Sequence, residues 1–134
     1  MNGRALILSL LLLQTATAEE PMRELLNQTF ENGRLTLALS DGTLVLTPQS
    51  ANALEALFVP AGETAPAPSY ALAGEPRPVD AVLAERADVL VLRTAGLEID
   101  VRRRPFRLAY RFRDRPLIEE ERGFFENDGL RGFR

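Results

Sequence analysis

The chain has 134 residues, enough for one domain, and contains no His, Cys or Trp. Those absences remove the commonest general base and transition-metal ligand, together with disulfides, thiolate nucleophiles and cysteine-bound zinc. All 16 basic residues are Arg, against 19 Asp and Glu for a net charge of −3, which argues against a nucleic-acid partner and leaves only Asp, Glu, Ser, Thr, Tyr and Arg for catalysis.

Residues 1–18 read as a secretory signal peptide. Arg4 supplies the positive leader, Ala5 to Leu13 the apolar run, and Ala16 and Ala18 the small side chains before a cut. The run is shorter than the roughly 20 residues a bilayer span requires, so no stable membrane insertion is expected after cleavage. Cleavage removes Arg4 alone among charged residues, leaving 15 Arg, 19 acids and a net charge of −4. An exported destination, periplasmic or extracellular, follows as an expectation.

The rest of the chain reads as strands and turns. Leu35, Leu37 and Leu39 alternate with Thr36, Ala38 and Ser40, then residues 43–47 run back after Ser40-Asp41-Gly42. That pair predicts a hairpin, with Asp41 and Gly42 capping the turn and tolerating positive φ, and Asn32-Gly33 marks a tight turn before it. Leu54 to Val59 predicts a further strand stopped by Pro60. Residues 60–80 hold five of the nine prolines, which excludes a central strand and predicts a long loop or an edge segment. Met22 to Leu26 and Val79 to Ala87 have mixed patterns, the second compatible with a helical turn.

The second block is more regular. Asp88 to Arg93 predicts a strand and Thr94-Ala95-Gly96 a turn. Leu97, Ile99 and Val101 then alternate with Glu98, Asp100 and Arg102, and Phe106, Leu108, Tyr110 and Phe112 with Arg107, Ala109, Arg111 and Arg113. Matching the apolar faces pairs Val101 with Phe106, Ile99 with Leu108 and Leu97 with Tyr110. In that register Asp100 faces Arg107 on the outer side. Leu130 to Arg134 has the pattern of another strand, with Phe133 placed to turn inward. Antiparallel hairpins without a convincing helix predict an all-β, antiparallel β-sandwich, incomplete at its C-terminal end.

Local chemistry is sparse. The arginines at 102–104, 107, 111, 113 and 115 read as the wet face of a strand answered by Glu98, Asp100 and Glu119 to Glu121. The acidic run Glu119-Glu120-Glu121 offers hard-metal oxygens without the carbonyls and shaped loop of a calcium site, and reads as structural or solvated. Asn27-Gln28-Thr29 fits a glycosylation sequon, a frequent chance match.

Several segments in order resemble the N-terminal region of glycoside hydrolase family 31, the α-glucosidases and α-glucan transglycosylases. Gly33 to Leu35 through Asp41 to Pro48 resembles that family's opening hairpin, and Leu54 to Pro60 the strand after it. Leu92 to Ile99 is similar to its strand-turn-strand, Pro105 to Leu108 to a Pro-Phe-Arg-Leu strand, and Pro116 to Glu120 to the next one. Arg122 to Phe125 and Gly132 to Arg134 are similar to the stretch leading to a Tyr-Gly-rich motif, which does not occur here.

The resemblance implies that residues 19–134 form a β-sandwich of the galactose-mutarotase-like type, packed in the parent against a TIM barrel. The barrel carries an Asp nucleophile and an Asp acid/base for retaining hydrolysis or transfer. No position of this sequence matches either, so no catalytic, cofactor-binding or metal residue is assigned, Glu126 and Asp128 included, and no cofactor is expected. The implied function is a non-catalytic portion of an exported α-glycosidase whose α-glucan or oligosaccharide substrate meets a catalytic domain outside this chain. The alternative is a freestanding secreted sandwich binding carbohydrate or a protein, for which Tyr70 is the one free aromatic and Tyr110 belongs to the apolar face.

Overall fold

The computed structural model describes residues 22–67 and 79–120 in full, and the strand backbone of 124–127 and 130–133. The expected signal peptide at 1–18, residues 68–78 with Tyr70, Glu121 and Asp128 lie outside the described residues. Every regular element among the described residues is a strand.

Two antiparallel meanders face each other. The first sheet has the order β1-β2-β3-β4, from strands Leu25–Glu31, Arg34–Leu39, Gly42–Ser50 and Ala53–Pro60. The second has the order β5-β6-β7-β8-β9, from Val82–Arg86, Val89–Arg93, Leu97–Arg103, Phe106–Phe112 and Arg115–Glu120. A separate hairpin pairs β10 (Phe124–Asn127) with β11 (Leu130–Phe133), so the last segment is a strand, as its pattern predicts.

Period-two alternation sends every second side chain of a strand to the same face. On the first sheet this turns Leu35, Leu37, Leu39, Leu44 and Leu46 inward. Leu90, Leu92, Leu97, Ile99, Val101, Phe106 and Leu108 oppose them from the second sheet, and all twelve form one core. Leu25, Phe30, Leu54, Phe58, Leu83, Tyr110 and Phe112 border it. Each fully buried Leu or Ile contributes about 1.5–3 kcal/mol of transfer free energy, and this shared interior is what makes two meanders a sandwich.

The turns account for the strand lengths. Asn32 (φ 52°) and Gly33 (φ 76°) are both left-handed, the primed two-residue turn that matches strand twist. Arg113 (φ 47°) and Asp114 (φ 65°) make the same kind of turn between β8 and β9 without a glycine. Gly42 differs from its expected role. It is paired within β3 opposite Pro60 and has no positive φ. A Cβ there would lie 2.3 Å from the Val59 carbonyl oxygen and 2.9 Å from the Phe58 ring, so close approach of β4 sets the requirement.

Two segments with mixed patterns are resolved as strands, and one expected register is corrected. Residues 82–86 form β5, hydrogen-bonded to β6, rather than a helical turn, because Leu83 reaches the core edge from the ladder position opposite Leu92. Strand β1 starts at Leu25, where the strand-like alternation begins, and its polar Asn27 and Gln28 are carried by pairing with β2. The β7–β8 register is displaced by two residues from the expected one. Ile99 faces Tyr110, Val101 faces Leu108 and Leu97 faces Phe112, because the turn is the two-residue Arg104-Pro105 instead of a four-residue loop. A shift of two preserves which face is apolar. It alters the outer face, where Asp100 sits opposite Ala109 and Arg102 opposite Arg107.

Candidate functional site

The most unusual chemistry lies where β9 meets the core. Glu120 stands opposite Leu108 on β8 and is only 5% exposed, so at this position the acidic run is structural and not part of the wet face that answers the arginines. Ladder alternation forces the placement: Glu120 is the cross-strand partner of Leu108, whose side chain is in the core, so Glu120 points to the same inner side. The Tyr110 hydroxyl donates to the Glu120 carboxylate. Burial pushes the Glu120 pKa up, and the Tyr110 hydrogen bond and the positive charge of Arg23 pull it back without cancelling the rise. Tyr110 is driven well above the ordinary phenol range by burial, with smaller contributions from the hydrogen bond to Glu120 and its charge.

Arg23, just before β1, ties this interior group to the surface. Its Nε lies 2.9 Å from both Asp41 carboxylate oxygens and its Nη2 2.6 Å from Oδ2. The guanidinium carbon stands 4.5 Å from the centre of the Phe58 ring, within cation–π range. The chain entry at Arg23, the β2–β3 turn at Asp41, β4 at Phe58 and β9 at Glu120 thus meet around one half-buried arginine.

A second polar cluster clamps the two sheets together. Ala51, in the β3–β4 turn, accepts from Thr94 Oγ1 at 2.7 Å and from the Gly96 amide at 3.0 Å, both in the β6–β7 turn. Thr94 Oγ1 also accepts from the Leu97 amide at 3.0 Å, closing its own turn. A third cluster lies on the outer face of the second sheet. Glu98 pairs with Arg93 on one side and with Arg111 on the other, and Arg111 pairs with Asp100 as well. Val91, 1% exposed, lies on this same outer face between Ala84 and Asp100.

The residues weighed from sequence are therefore distributed, not gathered. Arg111 is paired on the outer face, Arg113 stacks its guanidinium 5.1 Å from the Phe112 ring, and Arg103 pairs with Glu85. Tyr110 is on the apolar face, as expected, and Asn27 is exposed on β1. The grouping of Arg23, Asp41, Phe58 and Glu120 escaped the sequence reading. The available signal was that Glu120 continues the parity of Ile118, which the three-residue acidic run conceals.

The chemistry these groups can perform is limited. A buried carboxyl with a raised pKa has the character of a general acid, and a Tyr–Glu pair could in principle move a proton. Glu120 is closed to solvent, however, and Tyr110 is shifted away from ionisation, so neither is presented to a substrate. Glu98 and Asp100 are neutralised by arginines on an open sheet face. Among the described residues no group of three or more Asp and Glu is arranged to hold a metal ion, and no helix is long and apolar enough to cross a membrane.

No protein-family model matches the chain, and no curated protein matches its sequence. Solved structures do. The GH31 dextranase of Flavobacterium johnsoniae, complexed with glucose or, as a mutant, with isomaltotriose, superposes with a TM-score of 0.71 at 16% identity over 82% of this chain. An uncharacterized protein of Listeria monocytogenes EGD-e, in complex with α- and β-D-glucose, magnesium and calcium, superposes with a TM-score of 0.59 at 15% identity over 76% of this chain. The chain spans 14% of the length of the first and 10% of the second. The likeness establishes the fold: the β-sandwich that the sequence resemblance implies is the one shared with part of the dextranase.

Proposed function

We propose that this chain is the non-catalytic N-terminal β-sandwich portion of an exported family 31 α-glycosidase, supporting a catalytic barrel and helping to shape the mouth through which an α-glucoside enters. The observation that carries this reading is the superposition of most of the chain on a small part of a GH31 dextranase, at a TM-score of 0.71. The ordered sequence resemblance to the same family supports it independently. The states of Glu120, Glu98 and Asp100 fit the same reading. Retaining hydrolysis needs two carboxyl groups about 5–5.5 Å apart and open to the scissile bond. Glu120 is enclosed, while Glu98 and Asp100 are engaged by arginines.

The supporting role draws on the edge strand. On β9, Leu117 and Ile118 remain 57% and 63% exposed, apolar surface at a sheet edge of the kind a neighbouring domain covers. The purified chain is expected to release no glucose from maltose or isomaltotriose and no nitrophenol from p-nitrophenyl α-glucoside. Turnover by the chain alone, abolished by substituting its own carboxylates, would refute the reading. Calorimetric binding of maltodextrins without turnover would favour a freestanding carbohydrate-binding sandwich instead.

A further inference from the structure

One end of the second sheet's outer face concentrates arginines that form no ion pair among the described residues. The ladders set Arg86 opposite Val89, Val89 opposite Arg102, and Arg102 opposite Arg107. A single row across four strands therefore carries three guanidinium groups, and Arg104 adds a fourth at the exposed tip of the β7–β8 hairpin. None of the four makes an ion pair among the described residues. The carboxylates that could answer them are committed elsewhere: Glu98 and Asp100 to Arg93 and Arg111, and Glu85 to Arg103. Asp88 in the β5–β6 turn and Glu119, opposite Ala109, are the other described acids near this end, and both are exposed.

Like charges directly opposite each other on a ladder repel, so the Arg102–Arg107 pair works against the sheet that presents it. The cost is removed when an anion sits between them. Adjacent strands are about 4.8 Å apart, so both side chains start within reach of one small group, and Arg86 stands two strand spacings, about 10 Å, from Arg102. Guanidinium forks match tetrahedral oxyanions by paired N–H donors, where an ammonium would act as a point charge. The chain as a whole is acidic, at −3, so attraction of an anion here is local and not a consequence of net charge. No aromatic side chain belongs to the row, which removes the stacking that single-stranded nucleic acid uses.

We infer that the Arg86–Arg102–Arg107 row, with Arg104 beside it, is a binding site for a phosphate group, free or borne by a lipid headgroup. The test uses the full chain and two probes. Inorganic phosphate is titrated at constant ionic strength against chloride, with the melting temperature read by circular dichroism. Phosphatidylglycerol–phosphatidylcholine vesicles are compared with phosphatidylcholine vesicles by co-sedimentation. The expected result is a saturating rise in Tm of about 5 °C when phosphate exceeds its Kd roughly tenfold. It is abolished in the Arg102→Gln/Arg107→Gln variant, whose Tm in chloride is no lower than that of the wild type. Arg102→Lys, which keeps the charge and loses the fork, weakens the response and guards against a variant that fails to fold. Charge-dependent vesicle binding lost in the same variants assigns the phosphate to a headgroup; a Tm response without vesicle binding assigns it to a free phosphate group. Equal responses of wild type and variants in both arms, or no response in either, overturn the inference.

Discussion

Gly96 is a position where adding one methyl group should do heavy damage. Its amide donates to the Ala51 carbonyl at 3.0 Å, and a Cβ would stand 2.8 Å from that same oxygen and 2.0 Å from Asn52 Oδ1. The Asn52 side chain can swing aside because it is exposed, but the Ala51 carbonyl is backbone, held also by Thr94 Oγ1 at 2.7 Å. Overpacking of this kind costs about 1–3 kcal/mol. Losing the inter-turn hydrogen bond adds about 0.5–1.5 kcal/mol. Gly96→Ala should therefore destabilise the sandwich by about 2–4 kcal/mol, lowering Tm by about 10–20 °C at this chain length. Urea unfolding followed by far-ultraviolet circular dichroism measures it, with an unchanged m-value showing that the same surface is exposed. Asn52→Ala alone should lie within about 0.5 kcal/mol of the wild type. Combined with Gly96→Ala it should recover part of the loss, since the two sites share one contact. A Gly96→Ala protein as stable as the wild type would show that the two turns do not clamp the sheets.

The remaining predictions concern other elements. Because the folded-state pKa of Glu120 is raised above its ordinary 4.5, its contribution is fully present below that pH and declines as pH rises through the folded value. Glu120→Gln should thus gain stability relative to the wild type between pH 4.5 and neutrality, read as the Tm difference across a pH series, and a constant difference would contradict the assignment. Replacing the left-handed Arg113-Asp114 turn by Arg113→Asn with Asp114→Gly should stabilise by about 1 kcal/mol, checked by the urea midpoint. Arg111→Met removes the partner shared by Glu98 and Asp100 and should cost about 0.5–1 kcal/mol at low salt, with a smaller loss at 1 M NaCl.

The parts of the fold legible in the sequence are those where alternation is strict. Leu35-Leu37-Leu39 and Leu97-Ile99-Val101 declare their inner faces, and both lie fully in the core. Asn32-Gly33 announces a primed turn because only such residues accept two left-handed positions cheaply. Strand β1 showed only as strand-like alternation from Leu25 onward, without bounds or partner, because its ladder hydrogen bonds, not its side chains, hold Asn27 and Gln28 in place. The β7–β8 register escaped because apolar matching repeats every two residues, so a four-residue loop and the Arg104-Pro105 turn satisfy the core equally well. That two-residue difference decides which charges face each other, and it is why the arginine row could not be seen before the ladder was known. Gly42 and Gly96 are both forced by an approaching carbonyl from another strand or turn, a cause with no local signature. Glu120 required knowing that β9 pairs through Tyr110–Ile118 and Leu108–Glu120, which sends one acid of a polar run inward.

The central claim, a supporting sandwich of a family 31 α-glycosidase, is tested most directly by reading the DNA beyond the Arg134 codon in all three frames. The account predicts a Tyr-Gly-rich strand followed by a barrel-coding stretch with two catalytic Asp codons, in frame or after a shift. A stop codon followed by unrelated sequence would contradict it.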